Sequence, residues 1–594
     1  MRALASTLVL GLLIYVSLSP QGGDAEPLPK GPPVSATGLL SAFALENGIA
    51  PPSLSTQFIG TTGETPAAAV GVTPAVSAFD IRVNQDFSLR PQNETTIAVN
   101  PRSPNMLVAG ANDYRLGNPV GAAFYTSFDG GASWNDGFSP FPLLAARKGN
   151  RLQTETPSGT GDPVIAFGRA RNVPGGPIPG STQAYYAYLG VSSSFCEHGI
   201  FVTRSSSGLL WTRPVAPPLL PPNGLFTPVY WDRAENCSVF NDKPWLAVDM
   251  SGGPHDGRVY VTWSRFEFSH RKYKESPILM AFSDDNGQTW SPPLEVSGYS
   301  DDLCRNQVSG PRGRCDESQF SNVVVGKDGA VYVAFLNQQY KGAADGFRNQ
   351  YLLTRVDPDT LAVSGPYKVA DLVDGENDFP FGASGNATLC NSNFRLNTAG
   401  NLAADPSDPD GSTLYLVFAD NRNGSSFPGH VLVTQQPPDS FACPAGLTTD
   451  SDIFIVKSTD GGLTWTNPAG ASNSPLRVNQ DALQNGKDQW FPFAAIAPDG
   501  RVDVMFYDRR DDPFNRLANV YLARSYDGGA SWSEVKVSSS FSNMNWAFEG
   551  GQFMGDYNGL AVGPDGTSYP FWTDARNGTP GTRQSDVFMG IVSP

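Results

Sequence analysis

The chain is 594 residues long, with 16% charged and 11% aromatic residues and a formal net charge of −16. That charge repels phosphate backbones and anionic lipid, and no Lys/Arg-rich run offsets it, which argues against nucleic acid as a partner. Its 62 glycines and 50 prolines suit short strands joined by turns and not long helices.

At the start of the chain, Met1-Arg2 and the apolar run Leu4 to Leu18 read as a secretory signal, with residues 1–25 removed by cleavage near Ala25. The run is shorter than the roughly 20 residues of a comfortable membrane span, and an uncleaved anchor is the alternative. No later stretch is apolar enough for stable membrane insertion. Residues 26–78, rich in Pro, Ala, Thr, Ser and Gly, read as a disordered linker or pro-segment. Six cysteines (Cys196, Cys237, Cys304, Cys315, Cys390, Cys443) include no Cys-x-x-Cys pair and read as structural disulfides whose pairing the sequence does not give. A secreted or extracellular location is expected, periplasmic in a Gram-negative host.

From residue 79 to 594 one unit recurs. It is an apolar strand, an Asp-Gly-type turn and a second strand with β-branched and aromatic residues, as in PFAAIAPDGRVDVMFYD (492–508), NGLAVGPDGTSYPFWTD (558–574) and FSNVVVGKDGAVYVAF (320–335). Two further clear copies lie at 244–263 and 401–420, and looser ones at 95–115 and 162–189, which brings the count to seven. A third strand follows, for example YLLTR (351–355) or NVYLAR (519–524).

In four units the third strand runs into Ser-x-Asp-x-Gly-x-x-Trp. The copies are Ser127/Asp129/Gly131/Trp134, Ser283/Asp285/Gly287/Trp290, Ser458/Asp460/Gly462/Trp465 and Ser525/Asp527/Gly529/Trp532, with a decayed fifth ending at Gly208 and Trp211. Asp can accept bonds from turn amides, Gly can take positive φ, and Trp can pack beneath the hairpin, so these residues are expected to be structural. Burying each indole removes about 150–250 Å² from water.

The last unit ends after its third strand, and Ile81-Arg82-Val83-Asn84-Gln85-Asp86 nearly repeats Leu476-Arg477-Val478-Asn479-Gln480-Asp481, which follows an Asp box. An N-terminal strand that completes the C-terminal blade would close a ring and protect its edges. The expected fold is therefore an all-β propeller of seven four-stranded blades, with six as the alternative if 162–211 is an insertion.

The four octapeptides and the β-repeat resemble the Asp-box or BNR-repeat proteins of the sialidase superfamily, over residues 79–594. The resemblance implies a propeller. In sialidases it further implies three arginines on the substrate carboxylate, an Asp acid/base and a Tyr nucleophile activated by Glu. No Arg-Ile-Pro motif, the usual site of the first arginine, occurs in this sequence.

Alternating strands would put the Asp-Gly turns and Asp boxes on one face and the blade connections on the other. On that second face, second-strand ends repeat Asp113-Tyr114-Arg115, Asp420-Asn421-Arg422, Asp508-Arg509 and Asp574-Ala575-Arg576, with Arg265 ending a related strand. Glu94, Asp162, Asp242, Asp488 and Asp556 precede the inner strands and approach the same rim. Candidate catalytic residues are Asp556, Tyr557 and Asp508; candidate substrate-binding residues are Arg115, Arg265, Arg422, Arg509 and Arg576. Such groups can grip an acidic or polyhydroxylated ligand and supply acid and base for glycoside cleavage, or they can tie blades together. Four histidines without a His-x-x-x-His pair argue against catalytic zinc, and no metal or cofactor is expected.

Two functions are left open: a sialidase-like, exo-acting glycoside hydrolase on glycans, with acidic glycans among the candidates, and a non-catalytic extracellular propeller that binds glycan or protein. Oligomeric state is not legible.

Overall fold

A computed structural model describes residues 80–594 apart from 118–119, 149–150, 173–174, 193–196, 216–225, 234–237, 270–271, 306–310, 340–347, 437–439 and 471–473. The expected signal and linker, and the pair Cys196 and Cys237, lie outside the described residues. Seven antiparallel sheets form a ring, each a meander from an inner to an outer strand. Blade 1 runs Gln92–Asn100, Ser103–Asp113, Gly121–Ser127 and Asn135–Phe138. The inner strands of blades 2 to 7 are Gly159–Gly168, Val239–Val248, Ser318–Val325, Leu402–Ala404, Gln489–Ile496 and Gly559–Val562. The loosely matched unit near 162 is thus a full blade. Blade 3 carries an extra strand, Lys272–Glu275, beside Val259–Ser269.

The core lies between blades. Tyr125 and Trp134 of blade 1 pack with Phe571, Val587 and Met589 of blade 7, and Trp465 of blade 5 joins a cluster with Tyr332 and Leu353 of blade 4. Near the axis the wedge narrows and side chains must shrink. A Cβ on Gly559 would stand 3.0 Å from the Cα of Thr96 on the neighbouring inner strand.

The Asp-box turns share one geometry. In blade 1 the Ser127 hydroxyl accepts from Gly131 N at 2.8 Å, and Asp129 accepts from Ser133 N at 2.9 Å and from the Ser133 hydroxyl at 2.6 Å. Asp285, Asp460 and Asp527 accept from Thr289, Thr464 and Ser531 in the same way. Gly131, Gly287, Gly462 and Gly529 have φ between 79° and 94°, the left-handed region that a side chain disfavours. In the decayed box, Ser205 Oγ still accepts from Gly208 N at 2.8 Å, and Ser207 occupies the aspartate position.

The four indoles, expected to be buried alike, divide into two pairs. Trp134 and Trp465 are buried, and their Nε1 atoms donate to Gly131 O at 3.0 Å and to Gly462 O at 3.1 Å. Trp290 and Trp532 correct the expectation, because each is only partly buried. Trp290 packs against the apolar cluster of blades 2 and 3, and Trp532 against that of blades 5 and 6, yet neither Nε1 meets a protein acceptor. Without the bond to the turn glycine that draws the ring under the hairpin, part of each indole stays at the surface. These two therefore remove less than a full indole's area from water.

The ring is closed by Asp80–Arg82, which pairs antiparallel with Asp586–Gly590 through Ile81↔Met589. Asn84 then accepts from Val587 N at 3.1 Å and donates to Asp586 at 2.9 Å and to Gln92 of blade 1 at 3.0 Å. Its sequence twin Asn479 accepts from Ile453 N at 2.9 Å and donates to Gln489 of blade 6 at 2.7 Å. The repeated hexapeptide is therefore a fourth strand plus a clasp onto the next blade. The disulfides Cys304–Cys315 and Cys390–Cys443 staple long connections on the rim opposite the Asp boxes.

Candidate functional site at the channel mouth

Five inner strands carry the same irregularity where they begin. The register slips between Asn93 and Thr96, Gly161 and Val164, Asp242 and Trp245, Gln319 and Asn322, and Trp490 and Phe493. One residue in each slip adopts left-handed φ: Glu94 (59°), Asp162 (54°), Lys243 (52°), Phe320 (54°) and Phe491 (49°). None is glycine, so each position costs on the order of 1–3 kcal/mol, which the surrounding sheet sustains. Bulges re-aim side chains, and here they do so at equivalent positions that hold different chemistry.

Glu94, Asp162, Asp242, Lys243, Asp556 and Tyr557, from blades 1, 2, 3 and 7, interact electrostatically at this mouth. All but Tyr557 are buried; Tyr557 is partly exposed. Glu94 accepts from Asn112 Nδ2 at 2.7 Å. Burial, reinforced by the charge of Asp556, pushes the Glu94 carboxyl up to about 8. Burial together with Glu94 and Asp242 holds Asp162 well above the usual carboxylate range. The Lys243 ammonium lies 3.3 Å from the Tyr557 ring centroid and 4.9 Å from that of Trp245, a cation–π seat. Burial pulls Lys243 down to about 8 against the opposing pull of its carboxylate neighbours. Burial and the charges of Glu94, Asp162 and Asp556 keep the Tyr557 phenol protonated.

Asp556 is held from outside the ring of inner strands. Arg395, in the long connection before the blade 5 inner strand, pairs with it through two nitrogens, Nε at 3.1 Å and Nη2 closer, and Asn397 Nδ2 donates to it at 3.2 Å. Arg395 stacks 5.0 Å from the Phe553 ring centroid, and Phe553 packs with Phe548, Tyr114 and Val120 in a cap beside the mouth. Within the ring, Trp245 of blade 3 stacks on Phe493 of blade 6 at 5.9 Å and bridges the axis. Several buried polar atoms here meet no protein partner, namely both side-chain polar atoms of Asn93, Lys243 Nζ and Arg395 Nη1, while the Asp162 carboxyl shares a side-chain hydrogen bond with Glu94. Such atoms are rare in native interiors and concentrate where a ligand, ion or solvent is handled.

The remaining sequence candidates lie elsewhere on the rim. Asp508 accepts from Arg510 Nε at 2.7 Å, and Arg510 reaches the outer-strand residue Glu534. Arg115 joins Asp113 to Asp136 of its own outer strand, Arg576 joins Asp574 to Asp80, and Arg422 holds Asp420. Arg265 bonds Glu267 and the Tyr230 hydroxyl. Arg509 is fully buried and donates to Cys390 O at 3.1 Å and to the Ser392 hydroxyl at 2.7 Å, with Asp488 at 3.6 Å. The five arginines therefore do not converge. Lys243 and Arg395 were not picked out from sequence. Aligning the inner strands would have found Lys243 opposite Glu94 and Asp162, whereas nothing periodic marks Arg395.

Residues 281–292, across the second Asp box, match the BNR/Asp-box repeat model. No curated protein matches the chain in sequence. Among solved structures it is similar to the Hadza microbial sialidase Hz136, at 12% identity over 82% of this chain and 73% of that one, with a TM-score of 0.38. It is similar to the GH93 α-L-arabinofuranosidase of Fusarium graminearum, at 10% identity over 86% and 97%, with a TM-score of 0.37. It is also similar to a PL25 ulvan lyase, at 10% identity over 68% and 79%, with a TM-score of 0.33. No residue role is carried across from any of them. The chain is a seven-bladed β-propeller that repeats the Asp-box turn, and its second Asp box matches the BNR/Asp-box repeat.

Proposed function

We propose that this chain is a secreted glycan-active enzyme, a glycoside hydrolase, with its chemistry at the bulged mouth. One observation carries the reading: equivalent bulge positions hold Glu94, Asp162 and Lys243, each different, beside Asp556 and Tyr557. Structural ties in a repeat protein keep the same residues from blade to blade, as the Asp boxes do. A reaction needs unlike groups from unlike blades.

Glycoside cleavage uses a carboxylic acid that keeps its proton at working pH and a second carboxylate. Glu94, with its carboxyl raised to about 8, is the acid in this reading. Asp556, oriented by Arg395 and Asn397, is the second group. Tyr557 enters as a phenol that offers a ring face and a hydroxyl to the sugar. Asp508 and the arginines Arg115, Arg265, Arg422, Arg509 and Arg576 serve the fold. Two disulfides support an oxidising, extracytosolic compartment, and among the described residues no helix is long and apolar enough to cross a membrane.

Glu94→Gln tests the reading, since it keeps the shape and removes the acid. Turnover of the best substrate should fall about 10²–10⁴-fold, the usual worth of a positioned acid, with the melting temperature held or raised. The second reading, a non-catalytic glycan-binding propeller, draws on the missing Arg-Ile-Pro motif. It takes over if wild-type protein binds glycans, cleaves none, and binds them equally well as Glu94→Gln.

A further inference from the structure

The atoms without partners at the mouth are of both kinds. Lys243 Nζ, Arg395 Nη1 and Asn93 Nδ2 are donors, Asn93 Oδ1 is an acceptor, and the Asp162 carboxyl, which shares one bond with Glu94, has further lone pairs to be met. They belong to one neighbourhood. Lys243 and Asp162 sense each other's charge, Arg395 is bonded to Asp556, and Gly555, next to Asp556, abuts Asn93 and the Glu94 backbone.

We infer that the ligand of this mouth is an uncharged, hydroxyl-rich sugar and not a carboxylate-bearing one such as a sialic or uronic acid. The inference rests on the reading that the mouth takes a glycan, and it stands whether or not the glycan is cleaved. A hydroxyl donates and accepts at once, so a run of sugar hydroxyls can meet donors and acceptors that alternate around a site. A carboxylate only accepts. It would engage Lys243 and Arg395 Nη1 and leave Asn93 Oδ1 and the remaining lone pairs of Asp162 unmet.

Charge points the same way. Four carboxyl groups, Glu94, Asp162, Asp242 and Asp556, surround two cations, Lys243 and Arg395, and Arg395 already holds Asp556 on two nitrogens. A substrate carboxylate would find, among the described residues of the mouth, no uncommitted guanidinium to receive it in bidentate fashion. The arginines that the sequence offered for that task are engaged by residues of their own or a neighbouring blade, or buried.

The test measures two things on the full chain. One is release of reducing sugar from neutral polymers (arabinan, galactan, xylan, mannan) and acidic ones (polysialic acid, polygalacturonate, hyaluronan). The other is quenching of tryptophan fluorescence, to which Trp245 contributes, by arabinose, galactose, N-acetylneuraminate and glucuronate. Turnover confined to a neutral polymer, or neutral sugars binding at least tenfold tighter than the acidic pair, is the expected result. Acidic polymers cleaved as fast as the best neutral one, or acidic sugars binding more tightly, would overturn the inference and leave the hydrolase reading intact. Neutral sugars bound without any turnover would remove the hydrolase and keep the inference. If no polymer is cleaved and no sugar is bound, both fall.

Discussion

Residues that look alike in this sequence do opposite work, and burial separates them. Asp129 and Asp527 stand at exposed turns, where the side-chain and backbone bonds of Ser133 and Ser531 hold their carboxyls down at about 2. Glu94 is sealed at the mouth and is pushed up to about 8. Its folded value lies above the ordinary 4.5, so between those values the native state binds more protons than the unfolded one. Stability should fall as pH rises from about 4.5 to about 8, and the slope should flatten beyond. The acid form is also the competent one, so turnover should fall with a limb near pH 8 that belongs to the coupled Glu94, Asp162 and Lys243 cluster. Denaturant titrations and kcat/KM profiles check both, and in Glu94→Gln the stability slope should shrink.

Arg509 and Asp488 give a second prediction at this scale. They form a fully buried pair beneath the Cys390 connection. Arg509→Ala strands Asp488 among uncharged partners and should cost about 3–5 kcal/mol. Any loss of turnover per folded molecule should not exceed that of a variant lacking the Cys390–Cys443 disulfide, which loosens the same connection, and a larger loss would return Arg509 to the site. The Asp-box turns were legible in the sequence because every bond in them spans only a few residues. How deeply each indole sits was not, since Trp134 and Trp290 share one octapeptide pattern and differ in burial. Glu94, Asp162, Asp242 and Asp556 were legible as a ring because each falls near the start of an inner strand, the first three within it and Asp556 just ahead of it. Asp488, which looked equivalent, lies three residues ahead of its bulge at Phe491 and faces Thr449 and Asn515 instead. Arg395 was illegible: it meets a partner 161 residues away through a connection with no repeat to align.

Among the elements, the inner strand with its bulge is the part that turns a scaffold into a site. A plain strand would bury alternate side chains against neighbouring blades, whereas the slip re-aims one residue in each of five inner strands, and in three of them that residue is Glu94, Asp162 or Lys243. The long connection between blades 4 and 5 supplies what the strands cannot. It is pinned at Cys390 by the disulfide to Cys443 and by Arg509, and five residues later it delivers Arg395 to Asp556. In the chain-entropy model a loop closed over a separation of 53 residues contributes about 4 kcal/mol. The double variant Cys390→Ser/Cys443→Ser should therefore lower the melting temperature and, with Asp556 less well oriented, reduce kcat at least tenfold in protein that is still folded. Unchanged kcat would show that Arg395 is positioned without the staple.

The ring as a whole depends on a strand taken from the far end of the sequence. Without it, Asp586–Gly590 would be an open edge, and blades 1 and 7 would meet through packing and a few hydrogen bonds such as Thr95 Oγ1 to Phe571 O and Gln92 N to Ser585 O. Asp80–Arg82 covers that edge with a backbone ladder, Asp80 bonds Arg576, and Asn84 links Asp586 to Gln92. Because Glu94 belongs to blade 1 and Asp556 to blade 7, the same closure sets the two carboxyls against each other across the seam. Deleting residues 79–88 should therefore lower both the melting temperature and the activity, and the exposed edge should promote association between chains. Deleting residues 26–70 should leave stability and activity close to those of the full chain. Calorimetry of the two truncations separates the cases, and equal melting temperatures would mean that packing between blades 1 and 7 closes the ring without its N-terminal strand.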